Sequence, residues 1–167
     1  MPGKYRGSTI MDIGGYPPHR KRVKRMEMIG FFREMAPGSS LEIFRESIQG
    51  KSRDQAAYPK AEVQGYLESG HSILDIMETT LDVMTGSFRV PGGSSLVSDG
   101  RFVWRADLPA YVETYNIDLP PRFISFVVEN GFSAPPASLQ NLLSVSAAAE
   151  RALGFRADGG AGPSLSG

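Results

Sequence analysis

The apolar positions of this chain recur at helical spacing on both sides of a central region in which they form short, strand-like runs. The helical periodicity predicts helices over 28–35, 41–48 and 60–69 before that region, and over 107–116, 123–128 and 138–153 after it. Apolar runs bounded by Gly, Pro, Asp and Ser predict strands over 72–78, 81–84, 87–90, 95–97 and 101–104. This order of elements predicts an α+β fold, in which a small, mainly antiparallel sheet has helices before and after it.

Local capping and turn signals support several of these boundaries. Ser39 or Ser40 can cap the second helix, and Glu42 lies three residues after Ser39, which is the spacing of a capping box. Asp107 stands where its carboxylate can accept hydrogen bonds from the free N–H groups of the first turn of a helix. Ser98-Asp99-Gly100 has the composition of a hairpin turn, because the glycine tolerates a positive φ.

Composition and charge divide the chain into four zones. Residues 1–25 are predicted to be a basic, disordered leader, because they combine seven basic side chains and one acidic side chain with many glycines and prolines. Residues 26–133 are predicted to be the α+β domain, residues 134–153 a C-terminal helix, and residues 154–167 a disordered tail rich in Gly, Ala and Ser. Outside the leader the chain carries eleven basic and seventeen acidic side chains. The net charge of zero is therefore the sum of a basic leader and an acidic remainder.

The amino-acid content excludes several classes of chemistry. Because the chain has no cysteine, disulfides, thiol catalysis and iron–sulfur clusters are excluded, and a cytoplasmic location is favoured. No apolar run approaches the length of a membrane span, and the N-terminus lacks the pattern of a secretory signal. We therefore expect a cytoplasmic protein without a membrane segment.

No cofactor or metal is expected from the remaining candidate ligands. His19 lies in the leader, so His71 is the only histidine of the predicted domain, and a histidine-rich metal site is excluded. A hard-cation site is chemically allowed, but the dense oxygen-ligand spacing of a calcium loop is absent. Its candidate carboxylates are Asp75, Asp82, Asp99 and Asp107. The Gly92-Gly93-Ser94-Ser95 run lacks a P-loop lysine and indicates a flexible strand connection.

One segment combines aromatic and acidic side chains more densely than the rest of the chain. It contains the only tryptophan, Trp104, together with Tyr111 and Tyr115, and two carboxylates, Asp99 and Asp107. Aromatic residues at these spacings usually pack beneath a helix, which favours a core role. Trp and Tyr also dominate binding hot spots, which favours a recognition surface. Both roles are possible together, with the rings buried and their polar ends exposed.

The stretch from Tyr66 to Phe123 resembles a poorly characterised group of small bacterial proteins that are common in actinobacteria. The residues that carry the resemblance are Tyr66-Leu67, Gly70, Asp82, Ser98-Asp99-Gly100, Trp104, Asp107-Leu108, Tyr111, Tyr115, Leu119-Pro120 and Phe123. Proteins of this group are often encoded near polymorphic toxin systems. The resemblance implies an immunity protein that binds and neutralises a cognate toxin, and it implies no catalytic residues.

These observations predict a non-enzymatic, cytoplasmic binding protein of the immunity or antitoxin type, whose partner is a cognate protein toxin. The predicted partner-binding residues are Asp99, Trp104, Asp107, Tyr111 and Tyr115. One alternative is an enzyme acting on a small polar substrate, with Asp99 and Asp107 as acid and base and His71 assisting. The other is a nucleic-acid-binding accessory protein that uses the basic run of residues 19–25. The sequence favours no particular oligomeric state.

Overall fold

Six strands in two sheets, together with four α-helices, form the part of the chain that the computed structural model describes, residues 25–155. The strands are β1 (Glu27–Met28), β2 (His71–Leu74), β3 (Thr79–Leu81), β4 (Arg89–Pro91), β5 (Leu96–Ser98) and β6 (Phe102–Arg105). The helices are α1 (Lys60–Glu68), α2 (Leu108–Tyr115), α3 (Pro121–Glu129) and α4 (Leu139–Ala152). The predicted α+β class is confirmed. The predicted leader and tail lie outside the described residues, except for residues 25 and 154–155.

The larger sheet has four strands in the order β1–β6–β5–β2. β5 pairs antiparallel with both β2 and β6, whereas β1 pairs parallel with β6. The smaller sheet is the antiparallel pair of β3 and β4. The prediction of a mainly antiparallel sheet is therefore confirmed, and β1 is the exception.

The predicted hairpin between β5 and β6 is confirmed at Ser98-Asp99-Gly100. Gly100 adopts a φ of +95°, which residues with a side chain rarely adopt. A Cβ atom at Gly100 would also lie 2.9 Å from the side-chain nitrogen of Asn141 in α4. The turn conformation therefore favours glycine here, and the Asn141 side chain would have to move to admit a larger residue.

The helices predicted over 28–35 and 41–48 are wrong. Residues 27–28 form a strand, and only two short 3-10 helices follow, Arg33–Met35 and Glu42–Phe44. Pairing with the buried strand β6 satisfies the backbone groups on one side of β1, and the apolar residues that follow are buried, so the tertiary contact overrides the local helical pattern. The predicted capping box does not form, because the Ser39 side chain accepts a hydrogen bond from the backbone N–H of Leu41 at 3.2 Å.

The other predicted helices are confirmed, with shifts of a few residues at their ends. Helix α1 follows Pro59 and buries Val63, Tyr66 and Leu67, as its spacing predicts. Helix α4 begins after Ser138, whose hydroxyl accepts a hydrogen bond from the backbone N–H of Asn141 at 3.1 Å. The predicted strands are present but displaced. For example, the run predicted over 72–78 ends at Leu74.

Two apolar clusters pack against the opposite faces of the larger sheet. The larger cluster centres on Trp104 and includes side chains from α1, α2 and α3. The smaller cluster joins Leu96 and Val103 of the sheet to Val145 and Ala149 of α4. Because both faces are covered, all four residues of β6 are buried. Strand β6 is the centre of the fold.

Replacing Gly93 with alanine is expected to destabilise the protein by about 1–3 kcal/mol, because the added methyl group has no room. Its Cβ atom would lie 1.8 Å from the hydroxyl oxygen of Thr80 and 3.0 Å from the carbonyl oxygen of Val90. Chemical denaturation followed by circular dichroism measures the change in the free energy of unfolding.

The matched control for this variant is Gly65→Ala. Gly65 lies inside α1, and apart from its chain neighbours and the backbone of its own helix no described atom comes within 4 Å of a Cβ atom built there. Alanine at this position is expected to stabilise the protein by about 0.5–1 kcal/mol, because glycine is costly inside a helix. Equal effects of the two variants would contradict the steric argument.

Candidate functional site

Asp99, the first of the predicted partner-binding residues, is 2% exposed and holds the turn between β5 and β6. Its carboxylate accepts hydrogen bonds from the backbone N–H groups of Arg101 at 2.9 Å and Phe102 at 2.7 Å. It also accepts a hydrogen bond from the hydroxyl of Tyr66 at 2.8 Å. Burial and the neighbouring Asp99 carboxylate raise the pKa of Tyr66, so the phenol stays protonated and donates. Asp99 therefore connects the hairpin to α1.

Trp104 is fully buried at the centre of the larger apolar cluster. Its indole N–H donates a hydrogen bond to the carbonyl oxygen of Leu67 at 3.1 Å, so its single polar atom has a partner. Its ring lies 6.2 Å from the ring of Tyr66 and 5.8 Å from that of Phe123, measured between centroids. The structure therefore gives Trp104 the core role of the two that the sequence left open.

Asp107 is 1% exposed and lies directly before α2. Its carboxylate does not cap the helix as predicted, because both oxygens face the guanidinium of Arg105, at 3.1 and 2.8 Å. The hydroxyl of Thr80 donates to the same carboxylate at 2.9 Å. Burial raises the pKa of Asp107, and the guanidinium of Arg105 opposes that rise. The hydrogen bond from Thr80 connects this buried ion pair to β3 of the smaller sheet.

The two tyrosines of α2 connect this helix to the loop after β3. The hydroxyl of Tyr111, which is buried, accepts a hydrogen bond from the backbone N–H of Val83 at 3.0 Å, and burial raises its pKa to about 12. Tyr115 is half-buried and donates a short hydrogen bond to the carboxylate of Asp82. Although burial raises the pKa of Asp82, the hydrogen bonds from Tyr115 and the backbone N–H of Met84 hold it below its usual value. Both hydroxyls therefore have structural partners.

Four of the five predicted partner-binding residues are therefore almost completely buried, and only Tyr115 keeps a substantial exposed fraction. The structure shows them as supports of β6, α2 and the adjoining loops. Direct contact between these residues and a partner stays a prediction. Because these side chains are buried, the simpler interpretation is that they contribute to binding indirectly, by supporting the shape of the surface.

The residues proposed for the enzyme alternative do not converge on one site. Asp99 precedes β6 and Asp107 follows it, so about 13 Å of strand separates the two positions at about 3.3 Å per residue. Each carboxylate has its own partners, as described above. His71 begins β2 and its Nε2 atom lies 3.1 Å from the carbonyl oxygen of Pro135. No two of these three side chains share a partner among the contacts of the described region.

Metal binding finds no support in residues 25–155. Among these residues, no group of three or more His, Asp or Glu side chains is arranged to hold a metal ion. The partners of the Asp82 carboxylate are hydrogen-bond donors, namely the hydroxyl of Tyr115 and backbone N–H groups. Within the same residues, no helix has both the length and the apolar character that crossing a bilayer requires.

A large open groove lies elsewhere, between the N-terminal strand and the connection from α2 to α3. Its volume is about 1070 Å³. It is lined by residues 27–32, by residues 118–122, and by side chains of the second 3-10 helix and the residues after it, namely Glu42, Ile43, Arg45 and Glu46. We call this feature the β1 groove.

Ion pairs surround the β1 groove. They join Glu27 to Arg122, Glu42 to Arg45, Glu46 to Lys51, and Asp118 to Arg53. The pair of Glu42 and Arg45 is 2.8 Å long, and both side chains are 76% exposed. Exposed ion pairs of this kind contribute little to stability, so a bound partner can rearrange them at small cost.

The β1 groove has no local signal in the sequence, because residues 118–122 are far along the chain from the other segments that line it, 27–32 and 42–46. Glu27 and Arg122, which meet across it, have no shared local pattern. The consecutive prolines 120 and 121 signal a chain turn but not a groove. Locating the groove requires knowing that β1 pairs in parallel with β6. This long-range information is not contained in one sequence.

Some large apolar side chains are also exposed outside the β1 groove. Leu139 and Leu143, four residues apart on α4, are 74% and 62% exposed, and Met77 in the loop after β2 is fully exposed. Single exposed apolar side chains are common on protein surfaces. These residues therefore define no site by themselves.

Comparisons with known proteins find no match to this chain among protein-family models, curated proteins or solved structures.

Proposed function

We propose that this protein is a cytoplasmic, non-enzymatic binding protein that holds a partner protein in the β1 groove. More specifically, we propose an immunity or antitoxin-like protein that neutralises a cognate toxin by direct binding. The observation that carries the proposal is the groove itself, which is bordered by four ion pairs that are each at least partly exposed.

The size of the groove is compatible with a segment of a macromolecular partner. Small-molecule sites are typically roughly 300–1,000 Å³ and enclose most of their ligand. The volume of the β1 groove, about 1070 Å³, lies at the upper end of this range, and the groove is only partly enclosed, so it also has room for a projecting segment of another protein. A polar rim around a partly apolar floor is the usual arrangement of a protein interface.

The charge of the chain outside residues 1–25 favours a basic partner. Outside residues 1–25 the sequence carries six more acidic than basic side chains. Such a surplus accelerates encounter with a positively charged protein and repels an acidic one. Toxins that act on nucleic acid must bind phosphates and are therefore commonly basic. A nuclease toxin fits this description.

The test is a rescue assay in which each gene encoded beside this one is expressed in a test host, with and without this protein. We expect one product to arrest growth and this protein to restore it. The variant Glu42→Arg with Glu46→Arg reverses charge beside the groove. We expect it to weaken binding of that product at least tenfold, which corresponds to about 1.4 kcal/mol.

The matched control is Glu62→Arg with Glu68→Arg, which makes the same charge change on exposed positions of α1, outside the groove. We expect binding within threefold of the wild-type value. If no neighbouring product is toxic, or if this protein neutralises none of them, the immunity proposal is wrong. If both variants weaken binding equally, the partner does not bind in the groove.

A further inference from the structure

The loop between β2 and β3 presents a fully exposed methionine on a fixed backbone. Met77 is 100% exposed, and hydrogen bonds hold the residues on both sides of it. The hydroxyl of Ser95 accepts from the backbone N–H of Ile76 at 2.8 Å and donates to the carbonyl oxygen of Ile76 at 3.2 Å. The carbonyl oxygen of Glu78 accepts from the backbone N–H of Gly92 at 2.7 Å. Because its backbone is already ordered, this loop loses little conformational entropy when a partner covers it.

The outer face of the smaller sheet continues this exposed region. Thr79 pairs with Pro91 and Leu81 pairs with Arg89, so these four side chains share one face. Thr80 lies between them and points to the other face, where its hydroxyl donates to the buried ion pair before α2. On the outer face Leu81 is 47% exposed. We call the exposed loop and the adjoining outer face the Met77 surface, which consists of Asp75, Met77, Glu78, Thr79, Leu81 and Pro91.

Two carboxylates flank Met77 without a cation of the described chain beside them. Asp75 accepts a hydrogen bond from the hydroxyl of Ser72 at 2.9 Å, and Glu78 accepts one from the hydroxyl of Ser94 at 2.6 Å. Within residues 25–155 neither carboxylate forms an ion pair. Both line an open pocket of about 400 Å³, and no basic side chain of that part of the chain lines it with them.

This charge distribution differs from that of the β1 groove. Each carboxylate that lines the groove already pairs with a Lys or Arg of the chain. On the smaller sheet, Arg89 lies beside Leu81 and about 7 Å along the strand from Pro91, at the end of the Met77 surface away from the pocket. The pocket end therefore favours a positively charged group from another molecule.

We propose that the Met77 surface is a second contact for the partner. Met77 enters an apolar depression of the partner, and a Lys or Arg side chain of the partner occupies the pocket that Asp75 and Glu78 line. This inference rests on the proposed function and names the chemistry that the partner presents. Methionine suits such a contact, because its flexible thioether adapts to an apolar surface. The positive charge of the occupant follows from the two carboxylates that lack an ion pair.

The Met77 surface is separate from the β1 groove. Its loop leaves β2, and β1 and β2 are the two edge strands of the larger sheet. These strands are about 14 Å apart, a distance that a protein interface of standard size spans. One partner can therefore contact both edges of the sheet.

The first test is the variant Met77→Ala in the full chain, with the neighbouring gene product that wild type neutralises as the probe. Because Met77 is fully exposed, we expect the thermal unfolding temperature to stay close to that of wild type. We expect binding to weaken roughly tenfold or more. The control Leu139→Ala shortens a side chain that is 74% exposed on α4, outside the Met77 surface, and should bind within about threefold of wild type.

The double variant Asp75→Asn with Glu78→Gln tests the charge of the occupant. The amide oxygens still accept hydrogen bonds from Ser72 and Ser94, so the loop keeps its contacts. We expect binding to weaken roughly tenfold or more at low salt and the salt dependence of the affinity to become shallower. The control Glu62→Gln with Glu68→Gln removes the same charge from exposed positions of α1 and should bind within about threefold of wild type.

The outcomes separate this inference from the proposed function. If wild type neutralises no neighbouring product, the proposed function is wrong and the second contact is wrong with it. If wild type neutralises one, and Met77→Ala binds it as well as Leu139→Ala does, the function stands and the second contact is wrong. If Met77→Ala weakens binding but the double amide variant matches its own control, the occupant of the pocket is not basic, which also overturns the proposal.

Oxidation of Met77 by hydrogen peroxide is a readout that needs no variant. Peroxide transfers one oxygen atom to the thioether sulfur, which forms the sulfoxide and leaves water. In the free wild-type chain we expect fast oxidation at this exposed side chain, measured by mass spectrometry. With the same gene product bound we expect the rate to fall roughly tenfold or more, because the contact shields the sulfur. A rate that is unchanged by the partner overturns the proposal.

Discussion

Replacing Asp107 with alanine is expected to lower the free energy of unfolding by about 3–5 kcal/mol, because it leaves the guanidinium of Arg105 buried without its partner. The Arg105 and Asp107 side chains are only 10% and 1% exposed, and two hydrogen bonds join them. The hydroxyl of Thr80 loses its acceptor as well. Urea denaturation followed by the fluorescence of the single tryptophan measures the loss.

The double variant Arg105→Met with Asp107→Leu is the control. Replacing both members of a buried ion pair with apolar residues of similar size is often neutral, so we expect it to recover most of the stability that Asp107→Ala loses. A loss below about 1 kcal/mol for Asp107→Ala would show that the pair is exposed like an ordinary surface salt bridge. That result would contradict the burial on which the argument depends.

The helices that could be predicted are those whose local pattern agrees with their tertiary contacts. In α1 the apolar positions Val63, Tyr66 and Leu67 face the core that their spacing indicates. In α2 the spacing of Leu108, Tyr111 and Val112 is equally informative, and all three are buried. Local and global preferences coincide at these positions, so a single sequence is sufficient to locate them.

The N-terminal region shows why the rest could not be predicted. The positions of Met28, Phe31, Phe32 and Met35 fit one face of a helix. Yet Met28 lies in β1, and Phe31 and Phe32 are buried in the irregular chain that follows it. Pairing with β6 decides between the helix and the strand. In the observed register Glu27 pairs with Phe102, which is distant from it in the sequence. A positive φ at Gly30 then ends the strand. Neither the partner strand nor its register has a local signal.

The candidate site was hidden for a related reason. Asp99, Trp104 and Asp107 were predicted to bind a partner because aromatic and acidic residues are concentrated in that segment. In the structure this segment lies at the centre of the fold. The side chains that line the β1 groove, such as Glu27 and Arg122, are ordinary charged residues until the chain brings them together. Whether a side chain supports the fold or can contact a partner depends on its burial, which only the three-dimensional structure shows.

Replacing Trp104 with alanine is expected to lower the free energy of unfolding by about 3–5 kcal/mol, because it empties the centre of the larger apolar cluster. The fully buried ring packs against Tyr66 and Phe123, and a Cβ atom at Gly70 would lie only 2.7 Å from it, so the surrounding side chains fit closely. Because this variant removes the only tryptophan, circular dichroism during denaturation is the appropriate measurement.

The variant Trp104→Phe separates packing from hydrogen bonding at the same position. It keeps an aromatic ring but removes the N–H group that donates to Leu67, so a loss of about 1–3 kcal/mol is expected, smaller than that of alanine. If Trp104→Ala unfolds at the wild-type denaturant concentration but loses partner binding, Trp104 is an exposed contact and the core assignment is wrong. If stability falls and the folded fraction of Trp104→Phe still binds normally, the tryptophan supports β6 and the groove beside it without touching the partner.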